Sequence, residues 1–252
     1  MGRFETTAPT YAAHREPYPP AFFAAVADAL HLAGHESLID LGTGPGLLAL
    51  GFAPYVGRIV GIDPEPAMIA EAQRAAAAAR VKFPLLEGRA EDVPADLGPF
   101  DLVTIGRALH WMDRDATLAT FNRILAPNGR ILICGSSPFA DEENPWRPAY
   151  EAVLIAWGEI REGRHHRLHE NWFAGTGFAE IAVVTTTHRQ TIGPQDLVER
   201  ALTRSTSSPA ILGSRLPTFR ADMLAALTPF FPHGLADEVI EARATIFAAC
   251  DD

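Results

Sequence analysis

Two cysteines in 252 residues leave this chain without a disulfide framework. Cys134 sits inside the apolar run RILICG and Cys250 near the end of another apolar segment, which reads as free, buried thiols in a reducing cytoplasm. Long apolar runs are also missing: none approaches the roughly 20 residues that span a bilayer, so no membrane partner is expected. The opening MGRFETTAPTYAAHREPYPP is too polar and proline-rich to be the apolar core of a signal peptide. Positive charge is the minority sign, with 21 Lys and Arg against 31 Asp and Glu, and a formal charge of −10 opposes broad contact with a nucleic-acid backbone. There is no internal repeat.

What is present is a globular composition, 48% hydrophobic and 21% charged, long enough for one enlarged α/β domain over residues 1–252. From Glu36 to Gly135 short apolar runs (SLIDLG, RIVGID, VKFPLLEG, FDLVTIG, RILICG) alternate with helical stretches, among them the Ala-rich Glu65–Arg80 and DATLATFNRILAPNG. Near-continuous apolar strands separated by helices indicate a mostly parallel sheet covered on both faces. A helix starts near Pro20 and stops before Gly34. Beyond Gly135 the alternation breaks. Pro145 to Ile160 reads as helix and EIAVVTTTHRQ as a strand. Residues 193–234 read as short helices broken by Pro209, Pro217, Pro229 and Pro232, and ATIFAA as the last strand. The expected fold is a Rossmann-like seven-stranded sheet with helical insertions before the sixth and seventh strands. Residues 1–34 form an N-terminal lid and helix, 35–136 the cofactor-binding core, and 137–177 with 193–234 the acceptor-side insertions.

SLIDLGTGPGLLAL is the most informative stretch. A buried strand ends at Leu41, and Gly42, Thr43, Gly44, Pro45 and Gly46 turn the chain into a helix. Glycines there permit positive φ and close ligand approach. In an open parallel sheet this turn lies at the carboxyl end of the first strand, where ligands bind. The dinucleotide pattern G-x-G-x-x-G fails, because Leu47 stands where its last glycine belongs and the glycine comes one residue early, at Gly46. Asp40 places beside the loop a carboxylate that repels a pyrophosphate and suits a cofactor carrying a sulfonium and an ammonium. Asp63, ending RIVGID, suits the two ribose hydroxyls of either cofactor. Asp40 and the glycine spacing favour S-adenosyl-L-methionine.

With these residues the chain resembles the class I S-adenosylmethionine-dependent methyltransferases, in the small-molecule branch that includes trans-aconitate methyltransferases. LIDLGTGPG resembles the family's first motif, GIDPEPAMI its second, EGRAEDVP its third and FDLVTIGRALHW its fourth, and Tyr11-x-x-x-Arg15-x-x-Tyr18-Pro19 matches the branch. The resemblance implies that Pro64 and Met68 lie near the cofactor. It also implies that Gly106 and Arg107 touch its methionine end through backbone groups. Where relatives carry an aspartate for the adenine amino group this chain has Arg89, which leaves the adenine to backbone near Ala90 and to the Glu91 carboxylate.

A sulfonium methyl is already electrophilic, so an enzyme of this kind mainly positions the acceptor, an effect worth about 7–11 kcal/mol in favourable cases. His110 and Trp111 follow the fourth strand and are the candidate catalytic, acceptor-lining residues; the plain alternative is a packed tryptophan and a helix-cap histidine. Arg15 would pair with the cofactor carboxylate and Tyr11 would cover the sulfonium, unless the segment is a frayed terminus. Trp146, Trp157, Trp172 and Phe173 suggest a planar or apolar acceptor, giving N-methylation of a small heteroaromatic. O-methylation of a small carboxylic acid or hydroxyl is the alternative. His165 and His169 stand four apart in REGRHHRLHE, without carboxylates at a convincing spacing, so no metal is expected. An RNA methyltransferase would carry a different fourth motif. A non-catalytic cofactor-binding protein would need no acceptor pocket, and an NAD-dependent oxidoreductase is disfavoured by Leu47 and Asp40.

Overall fold

A computed structural model describes residues 8–158 and 172–250, which divide into two compact units. The sheet unit comprises Tyr18–Gly135, Arg167–Thr186 and Ala242–Asp252, and the helical unit comprises Met1–Pro17, Ser136–His166 and Thr187–Glu241.

In chain order the helices are α1 (Ala8–His14), α2 (Pro20–Leu30), α3 (Leu47–Phe52), α4 (Pro66–Ala79), α5 (Arg114–Ile124), α6 (Arg147–Ala156), α7 (Pro194–Leu202), α8 (Pro209–Leu212) and α9 (Leu216–Leu227). The strands are β1 (Ser37–Leu41), β2 (Arg58–Asp63), β3 (Leu85–Glu87), β4 (Phe100–Gly106), β5 (Leu125–Pro138), β6 (Phe178–Ile192) and β7 (Ala236–Ala249). They form one seven-stranded sheet in the order β3-β2-β1-β4-β5-β7-β6. The β3–β2, β2–β1, β1–β4 and β4–β5 pairs are parallel. The Rossmann-like seven-stranded sheet read from the sequence is the fold observed.

β1 and β2 are buried on both faces, as near-continuous apolar strands require. One layer of the core joins Ile39, Val60, Val103 and Ile131 to Phe121 of α5, and the other joins Leu38, Ile59, Leu102 and Leu132 to Phe22 and Phe52. Phe22 and Phe52 are fully buried, and truncating a core phenylalanine typically costs about 3–5 kcal/mol. α4 begins with Pro66 in its first turn and ends at Arg80, which takes the left-handed conformation usual at a helix stop. The Ala-rich run lies wholly inside this helix.

Three local readings differ from the structure. Cys250, read as a buried thiol, is exposed, whereas Cys134 is buried. LAPNG is strand, not helix end: β5 starts at Leu125, and residues 126–129 form an irregularity between the pairs Phe100↔Leu125 and Leu102↔Arg130. The prolines of the last insertion start helices more than they break them, with Pro194, Pro209 and Pro217 in first turns where a missing N–H costs nothing.

The helical unit has its own core, with Trp146, Tyr150 and Leu154 of α6 against Leu197, Ala201, Phe219 and Met223. A polar element runs through it. Arg200 of α7 is 3% exposed and pairs with the fully buried Glu238, which also accepts from Gln190 at 2.8 Å.

Candidate active site at the ends of β1, β2 and β4

Most of the sequence-derived site residues lie in the sheet unit, in the turns after the four adjacent strands β1, β2, β3 and β4. The turn after β1 puts Gly42, Gly44 and Gly46 at φ +68°, +53° and +84°, the left-handed region that side chains resist. A Cβ on Gly42 would stand 2.5 Å from the Cβ of Ala108, which follows β4, so glycine lets these two turns touch. Around Gly44 nothing lies within 4 Å of the Cβ position. The two glycines therefore do different work, one admitting protein and the other leaving open space above the turn.

Asp63 fastens that turn. Its Oδ2 accepts the Gly44 N–H at 2.8 Å and its Oδ1 accepts the Glu65 N–H at 2.9 Å. A carboxylate has about four acceptor positions, so two remain for a ligand. Burial raises the Asp63 pKa against the lowering effect of those N–H bonds. The Asp63 carbonyl accepts from Gly88, which brings the third turn alongside.

Asp40 is 1% exposed, beneath the turn. It accepts the Thr43 hydroxyl at 2.7 Å and the Thr104 hydroxyl at 2.8 Å. Burial still lifts its pKa to about 6 despite these bonds, with Asp63 adding a smaller push upward. Thr104 escaped the sequence reading, although a lone hydroxyl in the apolar FDLVTIG, on the strand beside Asp40, was a usable signal.

On the third turn Arg89 is 60% exposed and Ala90 is buried. The Glu91 carboxylate accepts from Arg89 at 3.0 Å and from the Asp113 N–H at 2.8 Å. Burial alone would raise its pKa, but the Arg89 bond and the Asp113 N–H hold it below the usual range. Glu91 thus ties the third turn to the start of α5. Asp113, the N-cap of α5, was not singled out in the sequence. Pro64 is exposed at the end of β2, and Met68 is buried in α4.

After β4, Arg107 takes φ +57°, an unusual conformation for a side-chain-bearing residue and one that clusters at functional sites. Its guanidinium lies 4.9 Å from the Tyr18 ring. A side chain on Gly106 would strike Leu48. His110 and Trp111 occupy a short 3-10 turn, Leu109–Trp111, with ring centroids 4.7 Å apart. Trp111 is 43% exposed, which removes the packed-core alternative.

Two sequence-derived residues fall elsewhere. Tyr11 and Arg15 belong to the helical unit, where Arg15 lies over the Tyr11 ring at 5.0 Å and near Glu16. The four aromatic residues that suggested a planar acceptor pack against other side chains. Trp146 and Phe173 are core residues, Trp172 packs beside Phe173, and Trp157 packs on Phe219 with its indole N–H on Asp222. His165, His166 and His169 lie outside the described residues. Among the described residues no group of three His, Cys, Asp or Glu could hold a metal, and no helix is long and apolar enough to cross a membrane.

Residues 38–129, which hold every one of these turns, match the family model described as a methyltransferase domain. Over these residues the chain carries a methyltransferase domain. The match agrees with curated methyltransferases. The chain is 32% identical over 144 residues to the ribosomal protein L11 methyltransferase of Thermus thermophilus, covering 54% of this chain and 55% of that one. It is 32% identical over 128 residues to an uncharacterized methyltransferase of Mycobacterium bovis, covering 51% and 49%. The chain thus spans about half the length of these curated relatives. Among solved structures, a candidate type II methyltransferase from Anaeromyxobacter dehalogenans superposes with a TM-score of 0.68 at 17% identity, over 93% of this chain and 97% of that one. An S-adenosylmethionine-dependent methyltransferase from Thiobacillus denitrificans, solved with S-adenosyl-L-homocysteine, gives 0.55 at 17% identity over 98% and 97%. At such identities the methyltransferase domain shares their fold.

The residues present suit this cofactor. The open space at Gly44 admits a ligand against the backbone, and the remaining acceptor positions of Asp63 match a pair of hydroxyls. The buried negative charge of Asp40 favours a cation above it.

Proposed function

We propose that the chain transfers a methyl group from S-adenosyl-L-methionine to a small-molecule acceptor. Bound there, the cofactor supplies a sulfonium-activated methyl group, and the chain supplies position and electrostatics. Asp63 holds the ribose hydroxyls. Gly42, Thr43, Gly44 and Gly46 shape the backbone against the ligand, with Asp40 beneath as a buried counter-charge. Ala90 and the Glu91 clasp form the adenine side, flanked by Arg89, Pro64 and Met68. Gly106 and Arg107 present backbone groups to the methionine end.

His110 and Trp111 receive the acceptor in this reading. Trp111 carries the finer reading, since a large aromatic surface held 43% exposed beside an imidazole suits a planar ring. A heteroaromatic nitrogen has a lone pair available for in-line attack on the methyl carbon without first losing a proton. Packing of the other tryptophans means that this preference rests on Trp111 and His110 alone. The test is a mass-spectrometric screen with isotope-labelled S-adenosylmethionine against small heterocycles and small carboxylic acids. Label appearing in a heterocycle supports the reading. Label only in the acids moves the acceptor to oxygen, and label in neither removes the small-molecule assignment.

A further inference from the structure

The helical unit collects buried hydrogen-bond donors that the methyl-transfer site does not use. Tyr150 of α6 is 4% exposed and its hydroxyl makes no hydrogen bond of ordinary geometry; the same holds for the buried Nε of Arg204, which follows α7. The phenol oxygen faces the Arg204 guanidinium in a hydrogen-bond-like contact that helps keep it charged against burial, which leaves the phenol O–H and the Arg204 Nε–H without acceptors. The indole N–H of Trp146, whose ring meets Tyr150 edge-on at 5.8 Å, is also without an acceptor.

The charges around Arg204 do not balance locally. Glu16 faces it, but the same carboxylate stands 3.9 Å from both Arg15 and Arg200. Glu238 is committed to Arg200 through two bonds. Glu151, the remaining carboxylate that Arg204 feels, is held by Arg147 at 2.9 Å. Among the described residues, three guanidiniums (Arg15, Arg200 and Arg204) thus share Glu16 and Glu238. A partly buried cation that shares its carboxylates, beside buried donors short of acceptors, is unfavourable until something supplies further negative charge and lone pairs.

We propose that the helical unit contains a binding site for a small oxyanion, a carboxylate or a phosphate, built on Arg204 and Tyr150. An oxyanion satisfies the requirement in one step. It brings the missing charge, offers oxygens to the planar guanidinium, and accepts from the phenol. A neutral nitrogen heterocycle would leave the charge uncompensated.

The experiment uses the whole protein saturated with S-adenosyl-L-homocysteine, so that the carboxylate of the cofactor product is already in place. Citrate and inorganic phosphate are then titrated against chloride at matched ionic strength, by thermal melting and calorimetry. Saturable stabilisation by citrate or phosphate, and not by chloride, is expected. Arg204→Gln and Tyr150→Phe should each weaken it, Arg204→Gln by about tenfold or more because it removes a charge-assisted pair, with S-adenosylhomocysteine affinity unchanged. If Arg204→Gln does not fold, Tyr150→Phe keeps the ring and decides alone. Three results overturn the proposal: stabilisation no greater than with chloride, equal anion binding by the variants, or anion binding that S-adenosylhomocysteine displaces. The last would mean that the anion and the cofactor product compete for one site.

Discussion

Thr104 on β4 donates its hydroxyl to Asp40 on β1 at 2.8 Å, across a parallel register that sets the two residues directly side by side. The pair is a polar crossing between two otherwise apolar strands. Hydroxyls from Thr43 and Thr104 only partly replace water around Asp40, and burial leaves its pKa near 6 instead of the ordinary 3.8. The folded chain therefore holds a proton there more tightly than the unfolded chain does. The stability linked to that proton is fully present below the ordinary pKa and is lost as pH rises through about 6. The loss amounts to about 3 kcal/mol at most. Urea unfolding of the ligand-free protein between pH 4 and 7 should show this fall, and Asp40→Asn should flatten it. Equal slopes in the two proteins would mean that Asp40 does not titrate in this range.

That relationship marks how far the sequence was legible. Strand alternation revealed the sheet because a strand buried on both faces must be mostly apolar, as β1, β2 and β4 are. The glycine turn was legible because positive φ at three positions leaves little choice of residue. Partners in adjacent strands were less visible. Thr104 lies 64 positions from Asp40, and only the β1–β4 pairing, which skips two intervening strands, brings them together. The aromatic residues read as facing an acceptor misled for a related reason: tryptophan content does not tell a pocket wall from a core, and Trp146 at 1% exposure is core. Glu91 shows a third limit. Its motif was read as the adenine side, but its bonds to Arg89 and Asp113 follow from where α5 begins.

Asp63 links loop architecture to ligand affinity. Asp63→Ala would remove its bonds to the Gly44 and Glu65 N–H groups along with those proposed to the ribose hydroxyls. Hydrogen bonds to a charged group are worth about 1.5–3 kcal/mol each, so S-adenosylhomocysteine affinity should fall by about tenfold or more. Calorimetric titration measures this, with NAD as the comparison ligand. Tight NAD binding by the unaltered protein would contradict the cofactor assignment.

Gly42 and Gly44 should separate stability from binding. Alanine at either meets a left-handed backbone that costs about 1–2 kcal/mol. Only at Gly42 does the new methyl also run into Ala108, at 2.5 Å. Gly42→Ala should therefore lower the melting temperature more than Gly44→Ala. Gly44→Ala should lose S-adenosylhomocysteine affinity out of proportion to its stability, because its methyl projects into the space left for ligand. Melting curves and calorimetry on both variants decide it, and a reversed order would show that the open space at Gly44 is not where the ligand lies.

Trp111 tests the acceptor reading most directly. The residue ends a short turn at the carboxyl end of β4, 43% exposed, with the His110 ring 4.7 Å away. Truncating a residue so exposed leaves little cavity, so Trp111→Ala should cost no more than about 1 kcal/mol of stability. Its proposed partner is the acceptor, whereas ribose and adenine are assigned to Asp63 and the Gly88–Glu91 turn. Methyl transfer should then fall by about tenfold or more through lost positioning, while S-adenosylhomocysteine affinity stays close to that of the unaltered protein. Trp111→Phe keeps an aromatic face and should recover part of the rate for a planar acceptor, a rescue that a merely steric role would not require. The measurements are a denaturation curve, a calorimetric titration and a single-turnover rate for each variant. A large stability loss, or cofactor affinity falling in step with rate, would make Trp111 part of the scaffold and leave the aromatic acceptor without its main support.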